Sequence, residues 1–373
     1  MSGTARSLNP AERLDWLRLI RSENVGPVTF YQLLARFGSA EAALAALPEV
    51  ARRGGRARPL TLCPRPAAER EMQQVQAADA RLVAWGEPDY PAALAVLDDA
   101  PPLLSLRGDG KLFERPAVAV VGARNASANG RRFARDIAMQ IGQQGIVVVS
   151  GLARGIDGAA HEGALATGTV AVLAGGIDQV YPEENRALHE QIAGRGALIA
   201  ELAIGTEPQA RHFPRRNRII SGCSLGVLVV EAALRSGSLI TARFALEQGR
   251  DVFAVPGSPL DPRCRGTNDL IRSGAILTET IDDIMRELQP RLGRALGERK
   301  REAYTPAKSV APGDGELARA RERLVELLSP TPAPVDELVR QCQLSPALVV
   351  TILLELELAG RIERHPGNQV SLL

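Results

Sequence analysis

Four loops in this chain carry residue types suited to holding an anion, and each lies beside a short apolar run. The first, Val121-Gly122-Ala123-Arg124-Asn125-Ala126-Ser127, leads into a helical pattern. Gly122 lets the backbone approach a ligand, Arg124 offers a planar fork of donors and Ser127 a hydroxyl, and the amides of the helix start carry partial positive charge. The second, Ser150-Gly151-Leu152-Ala153-Arg154-Gly155-Ile156-Asp157, repeats the design with Gly151 and Arg154. The third, Arg211-His212-Phe213-Pro214-Arg215-Arg216-Asn217-Arg218, is the densest basic stretch. An arginine cluster beside an aromatic suits a sugar-phosphate backbone better than a single metabolite. In the fourth, Ser236, Gly237 and Ser238 open a helix and present amides and hydroxyls.

Each loop also admits a plainer reading. A glycine-rich turn after a strand fits a dinucleotide equally well, and the arginine stretch could be a solvated loop or an ion-pair site, with Asn217 an internal hydrogen-bonding residue. Asp157 and His161 lie four apart on a helix, so a hydrolase reading would join them to Ser150 as a triad. Against it, Ser150 lacks the marks of a strained nucleophile elbow, and Asp157 near a helix start serves as a cap. Glu231, beside the fourth loop, is read as organising neighbouring donors.

The loops need a scaffold that brings them to one edge. Short, mostly Val-rich strands are expected at Ala117 to Val121, Ile146 to Ser150, Thr169 to Leu173, Ala197 to Glu201, Gly226 to Glu231 and Asp251 to Pro256, with helices between them. Continuous apolar runs of this kind predict an α/β domain of Rossmann-like, doubly wound, mostly parallel topology, whose ligands bind at the carboxyl ends of the strands. This domain is placed at residues 82–287. Residues 1–81 read as a helical SAM or helix-hairpin-helix-like domain. Its third helix spans Ala40 to Ala46, an arginine-bearing loop with Arg52 and Arg53 follows, and a helix runs from Pro66 to Ala80. Its role is open between phosphate contact at the Gly26 turn and protein contact. Residues 288–315 read as a linker. Residues 316–373 fit a winged helix of three helices and a hairpin turning at Pro366-Gly367-Asn368.

Composition bounds the function. The chain has 373 residues, a formal net charge of +2 and only 3% aromatics, so stacking of many bases is not expected as the main binding mode. Cys63, Cys223, Cys264 and Cys342, like the histidines, are too dispersed for a disulfide framework or a metal site, and no cofactor is expected. No apolar run reaches the ~20 residues of a membrane span and Met1 to Pro10 lacks a signal-peptide core, which predicts a cytoplasmic protein with no membrane partner.

The ordered motifs V-G-A-R, S-G-L-A-R-G-I-D-x-x-A-H, G-G-x-D-x-x-Y-P, F-P-x-R-N-R-I-I-S-G, V-x-E-A and S-G-S-L-I-T-A resemble the DprA/Smf family, with V-P-G and G-T-N-x-L-I-x-x-G-A continuing the match to about Glu279. The resemblance implies a non-enzymatic protein of natural transformation that binds single-stranded DNA, protects it, helps load RecA and forms a homodimer. Carried onto matching positions, it implies DNA contacts at Gly122, Arg124, Arg215, Arg216, Asn217 and Arg218, with Arg154 and Ser238 beside them. A nucleotide-processing enzyme of the Lonely Guy phosphoribohydrolase type is the competing reading. Its P-G-G-x-G-T loop is replaced here by Arg235-Ser236-Gly237-Ser238-Leu239-Ile240-Thr241. The third winged-helix segment, Pro346 to Ala359, carries Glu355 and Glu357 but no basic residue, so that domain is expected to contact protein, or DNA only weakly.

Overall fold

The computed structural model describes residues 7–295, 314–365 and 367–373. The chain divides into two compact units, one chiefly Arg70–Arg301, the other Leu8–Glu69 together with Glu302–Leu373. It opens with helices α1 (Pro10–Ile20), α2 (Pro27–Phe37), α3 (Ala40–Arg53) and α4 (Arg65–Ala77). Next come β1 (Arg81–Ala84), β2 (Leu103–Gly108), β3 (Ala117–Gly122), α5 (Ala128–Gln143), β4 (Val147–Ser150), α6 (Ile156–Ala164) and β5 (Thr169–Val172). They are followed by α7 (Arg186–Arg195), β6 (Ala197–Ala200), α8 (His212–Gly222), β7 (Gly226–Val230), α9 (Gly237–Glu247) and β8 (Asp251–Ala254). The first unit closes with α10 (Arg265–Arg272), β9 (Ile276–Leu277) and α11 (Ile281–Ala295). The last segment holds α12 (Asp314–Leu327), β10 (Ala333–Pro334), α13 (Val335–Cys342), α14 (Pro346–Leu358), β11 (Ile362–His365) and β12 (Gln369–Leu372).

In the first unit nine strands form one sheet in the order β1-β2-β6-β5-β4-β3-β7-β8-β9. The strands from β6 through β9 run parallel, and β1 and β2 add an antiparallel edge. Alternate residues of each strand serve opposite cores. Val118, Val120, Val148 and Leu228 pack with Ile137 and Ile141 of α5, whereas Ala119, Val121, Val149 and Val227 pack with Ile219 and Ile220 of α8. A sheet covered on both faces needs no polar side of its strands, which is why the strands read as unbroken apolar runs. The chain winds from β3 outward through β4, β5 and β6, then returns to lay β7 on the other side of β3. The switch point therefore lies between the carboxyl ends of β3 and β7.

Two boundaries differ from the sequence expectation. The linker was expected from residue 288, but α11 continues to Ala295. Its apolar residues Ile281, Ile284, Met285, Leu288 and Leu292 recur at helical spacing and pack on the sheet, which overrides the Pro and Gly content that suggested irregular chain. Residues 296–313 of the expected linker lie outside the described residues. Helix α3 likewise runs past Ala46, through Pro48, to Arg53, because Leu47, Val50 and Ala51 continue its buried face. Arg52 and Arg53, expected in a loop, sit on its last turn and pair with Glu49.

The second unit brings the two ends of the chain together. Leu354 and Leu358 of α14 are buried in the same core as Leu19, Phe30, Leu44 and Leu47 of the amino-terminal helices. Helices α3 and α14 approach so closely at Gly54 that a Cβ there would stand 1.9 Å from the Glu355 carbonyl oxygen. Asn24, in the turn between α1 and α2, donates from Nδ2 to the Leu358 carbonyl at 3.3 Å. At Gly26 in the same turn, a Cβ would lie 4.0 Å from the Glu357 carboxylate, so the hairpin faces another part of its own chain. The two acids of α14 are internally partnered: Glu355, fully buried, pairs with Arg321, and Glu357 accepts from Arg364 Nε at 2.7 Å. The helix that would enter a DNA groove in other winged helices is here packed against the amino-terminal helices.

Substituting Gly54→Val forces α3 and α14 apart and is expected to destabilise this unit by about 1–3 kcal/mol. Calorimetry of the full chain should show the unit's transition lowered. An unchanged transition would mean that the helices do not meet there.

Candidate nucleic-acid interface

The loops after β3, β4 and β5 and the start of α8 converge at the carboxyl edge of the sheet. Gly122 ends β3 with its Cα against the Val230 carbonyl, where no side chain fits. Beyond it Arg124 is exposed, and its guanidinium carbon lies 4.8 Å from the centre of the Phe213 ring. Ser127 caps α5: its Oγ accepts from the Gly130 amide at 2.9 Å and donates to the Glu231 carboxylate, which also accepts from the Ser127 amide at 2.8 Å. The hydroxyl expected to meet a phosphate is thus engaged inside the protein, because a carboxylate from the neighbouring loop already occupies the helix start.

The arginine stretch divides by helical position once α8 forms. Arg216, only 6% exposed, turns into the sheet. Its Nη1 donates to the carbonyls of Gly151 at 2.7 Å and Val172 at 2.5 Å, and its Nε donates to Asn217 Oδ1 at 3.1 Å. A Cβ on Gly151 would collide with this guanidinium at 2.5 Å, so the missing side chain there makes room for the arginine. Burial lowers the Arg216 pKa to about 10, against the attraction of buried Asp157, and the group stays charged at neutral pH. Asp157 accepts from the Gly151 and Ala153 amides at 3.2 and 3.4 Å; burial raises its pKa, while Arg216 and those amides oppose the rise. Asn217 donates to the Gly237 carbonyl at 3.3 Å and so ties α8 to the start of α9. Arg218 points elsewhere, donating to the Asp99 carbonyl at 2.7 Å and pairing with Glu201.

These placements correct the sequence expectation for Ser127, Gly151, Arg216, Asn217 and Arg218. All were expected to face a ligand, and each instead makes a hydrogen bond or ion pair within the domain. The serines of the fourth loop are also occupied: Ser236 caps α9, its Oγ lies 2.7 Å from Ser238 Oγ, and Ser238 is buried. Gly237 is exposed beside them.

What remains outward is a compact set. Arg124, Arg211 and Arg215 are exposed, and among the described residues none of them has a carboxylate partner. Arg154 is exposed too but pairs with Glu184. Phe213 meets Tyr181 at 5.4 Å between ring centres, and Tyr181 is 47% exposed. The two rings border a shallow cleft floored by Gly151, Ala153, Leu173 and Gly175. A second cleft adjoins it, sharing Leu173 and Ala174 and reaching His212 and Arg215. Tyr181 is the residue that sequence reasoning left out of the site, although the G-G-x-D-x-x-Y-P motif contained it.

The hydrolase set does not assemble. Ser150 Oγ donates to the Val120 carbonyl at 2.6 Å. His161 Nδ1 lies 2.7 Å from Thr169 Oγ1, whose own proton goes to the Val148 carbonyl at 3.0 Å, so the imidazole carries its proton on Nδ1. Burial, followed by the nearby Arg216, lowers the His161 pKa to about 3 and keeps the ring neutral.

Residues 81–289 match the family described as DNA recombination-mediator protein A, residues 10–74 the DprA-like N-terminal HHH domain, and residues 307–368 the DprA winged helix domain. The Smf protein of Escherichia coli is 41% identical over 286 residues, covering 76% of this chain and 75% of that one. The DNA processing protein DprA of Streptococcus pneumoniae is 44% identical over 202 residues, 54% of this chain and 71% of that one. The X-ray structure of the Streptococcus pneumoniae protein superposes with a TM-score of 0.63 at 33% identity, covering 77% of this chain and 99% of that one. DNA processing protein A of Helicobacter pylori, described for its single-stranded DNA binding mode, superposes with a TM-score of 0.52 at 29% identity, covering 57% of this chain and 96% of that one.

Two outcomes follow from the buried charges. Arg216→Ala removes a cation that two carbonyls and Asp157 surround, and a loss of about 3–5 kcal/mol in folding stability is expected, read by denaturant unfolding. Unaltered stability would return Arg216 to the ligand surface. His161 is neutral when folded but protonates below its ordinary pKa when unfolded, so it makes stability fall as pH drops from 6.5 toward about 3. Protonation of Asp157 acts the other way, so the measurement is a difference: over this range His161→Gln should lose less stability than wild type, by up to about 1.4 kcal/mol per pH unit.

Proposed function

The chain belongs to the DprA/Smf family of DNA recombination mediators, and from that premise we propose that it binds the backbone of single-stranded DNA along the carboxyl edge of its sheet. The observation that carries this reading is the set of three exposed arginines, Arg124, Arg211 and Arg215, without carboxylate partners among the described residues, around the Tyr181–Phe213 pair. Arginine forks suit phosphate oxygens, and aromatic faces accept bases of any identity. Arg154 joins the set if phosphate displaces Glu184, and the exposed backbone at Gly237 adds donors at its rim.

The proposal extends to the part such a protein plays. It would shelter incoming single strands during transformation and present them to RecA, as a cytoplasmic homodimer without catalytic activity, cofactor or membrane contact. Residues 82–287 would form the DNA-binding domain. The helical region 1–81 and the winged helix 316–373 would serve chiefly protein contact, in keeping with the internal partners of Glu355 and Glu357.

A salt-dependent titration of single-stranded DNA tests the binding. Affinity should fall with salt by about 0.7 log unit per log unit for each phosphate neutralised. Arg124→Ala should shallow that slope by roughly one such step, whereas Phe213→Ala should weaken binding by about 1–3 kcal/mol with the slope unchanged. Wild-type affinity and slope in both variants would remove the proposed surface.

A further inference from the structure

Glu231 is the first residue beyond β7, at the switch point between β3 and β7. Its backbone lies in the left-handed region at φ 53°, where a residue with a side chain stays only if its surroundings hold it. They do so from both ends. The Glu231 carbonyl accepts from the Ala123 amide at 2.8 Å, and the carboxylate accepts from the amide and hydroxyl of Ser127. Gly130, in the first turn of α5, makes room for it: a Cβ at that position would lie 2.6 Å from the carboxylate carbon. A planar anion belonging to the protein therefore rests on the first turn of the helix after β3. In doubly wound sheets that is where the phosphate of a bound nucleotide sits, held by helix-start amides in the switch-point crevice.

We infer that Glu231 is a specificity residue: its carboxylate fills the phosphate position of the crevice, excludes mononucleotides, and confines bound DNA to the outer rim of Arg124, Phe213 and Arg215. Three properties of the carboxylate act together. The carboxylate takes the donors of Ser127 that a phosphate would need. Its volume occupies the space above Gly130. Its negative charge repels a second anion at the same helix start. A polymer lying across the rim escapes all three, since its contacts come from side chains that project beyond the crevice. This inference rests on the single-strand reading of the same site.

The test titrates full-length protein with inorganic phosphate, following the Ser127 amide by NMR and affinity by calorimetry, in wild type, Glu231→Ala and Glu231→Gln. In wild type, the Ser127 amide should not respond to millimolar phosphate. Glu231→Ala should bind phosphate about tenfold more tightly, as expected for one regained charge-assisted hydrogen bond. Glu231→Gln keeps the volume and an acceptor for the Ser127 amide while losing the charge, so its gain should be clearly smaller than that of the Ala variant. A folded Glu231→Ala that gains no phosphate affinity overturns the inference, as do equal gains in the Ala and Gln variants. A saturable Ser127 shift in wild type overturns it as well, and that reading stands even if the Ala variant does not fold. Single-stranded DNA titrated against wild type separates the two proposals, because absent DNA binding sinks the rim reading whatever phosphate does at Glu231.

Discussion

The site depends on one buried cation. Arg216 reaches from α8 under the sheet edge and bonds to the carbonyls that end β4 and β5, at Gly151 and Val172. Carbonyls at strand ends have lost their ladder partners, and without a donor or water they would stay unsatisfied as the loops fold over them. The guanidinium supplies several donors from one rigid group, so a single side chain can close two strand ends and bond Asn217 as well. That places the first turn of α8, and with it Phe213, above the cleft. Arg211 and Arg215 are aimed by a helix whose own register is held by this buried one, while Arg124 reaches the same edge from the loop after β3.

Much of the first unit was legible because its strands are buried on both faces and announce themselves as apolar runs. The antiparallel edge was harder to see. β1 and β2 are joined by the long segment from Trp85 to Pro102, and no short turn signal marks them as a pair. The arginine element shows the limit more sharply. Four arginines within eight residues read as one basic surface. Folding into a helix separates them onto different faces, and the groups that receive the inward ones lie far away in sequence: Arg216 meets a carbonyl 65 residues earlier and Arg218 one 119 residues earlier. A local pattern of charge carries no information about partners at such distances. Only the helical periodicity of α8 carries a hint of the division.

The second unit poses the complementary problem. An acidic third helix in a winged-helix fold is ill suited to a DNA groove. The structure adds what the acids do accept. Glu355 and Glu357 pair with Arg321 and Arg364, and the apolar Leu354 and Leu358 beside them join the core of the amino-terminal helices. Buried ion pairs are poor sources of stability but costly to break, so these two hold α14 to α12 and β11. The sequence hides this because the two halves of that core stand at opposite ends of the chain.

Whole-chain composition also misleads at the scale of a site. An aromatic content of 3% speaks against a platform built from many rings, yet the fold brings Tyr181 and Phe213 together at one edge. Arg124 lies over one face of Phe213, so a base cannot stack on that face while the guanidinium remains there. The guanidinium and a base therefore compete for the ring, while the guanidinium and a phosphate attract. On the proposed reading, a strand that drew Arg124 onto its backbone would expose the ring for one of its bases. A free base or nucleoside has no phosphate with which to do this. Such coupling rewards a ligand that carries both groups in series, which is the character of a nucleic-acid strand.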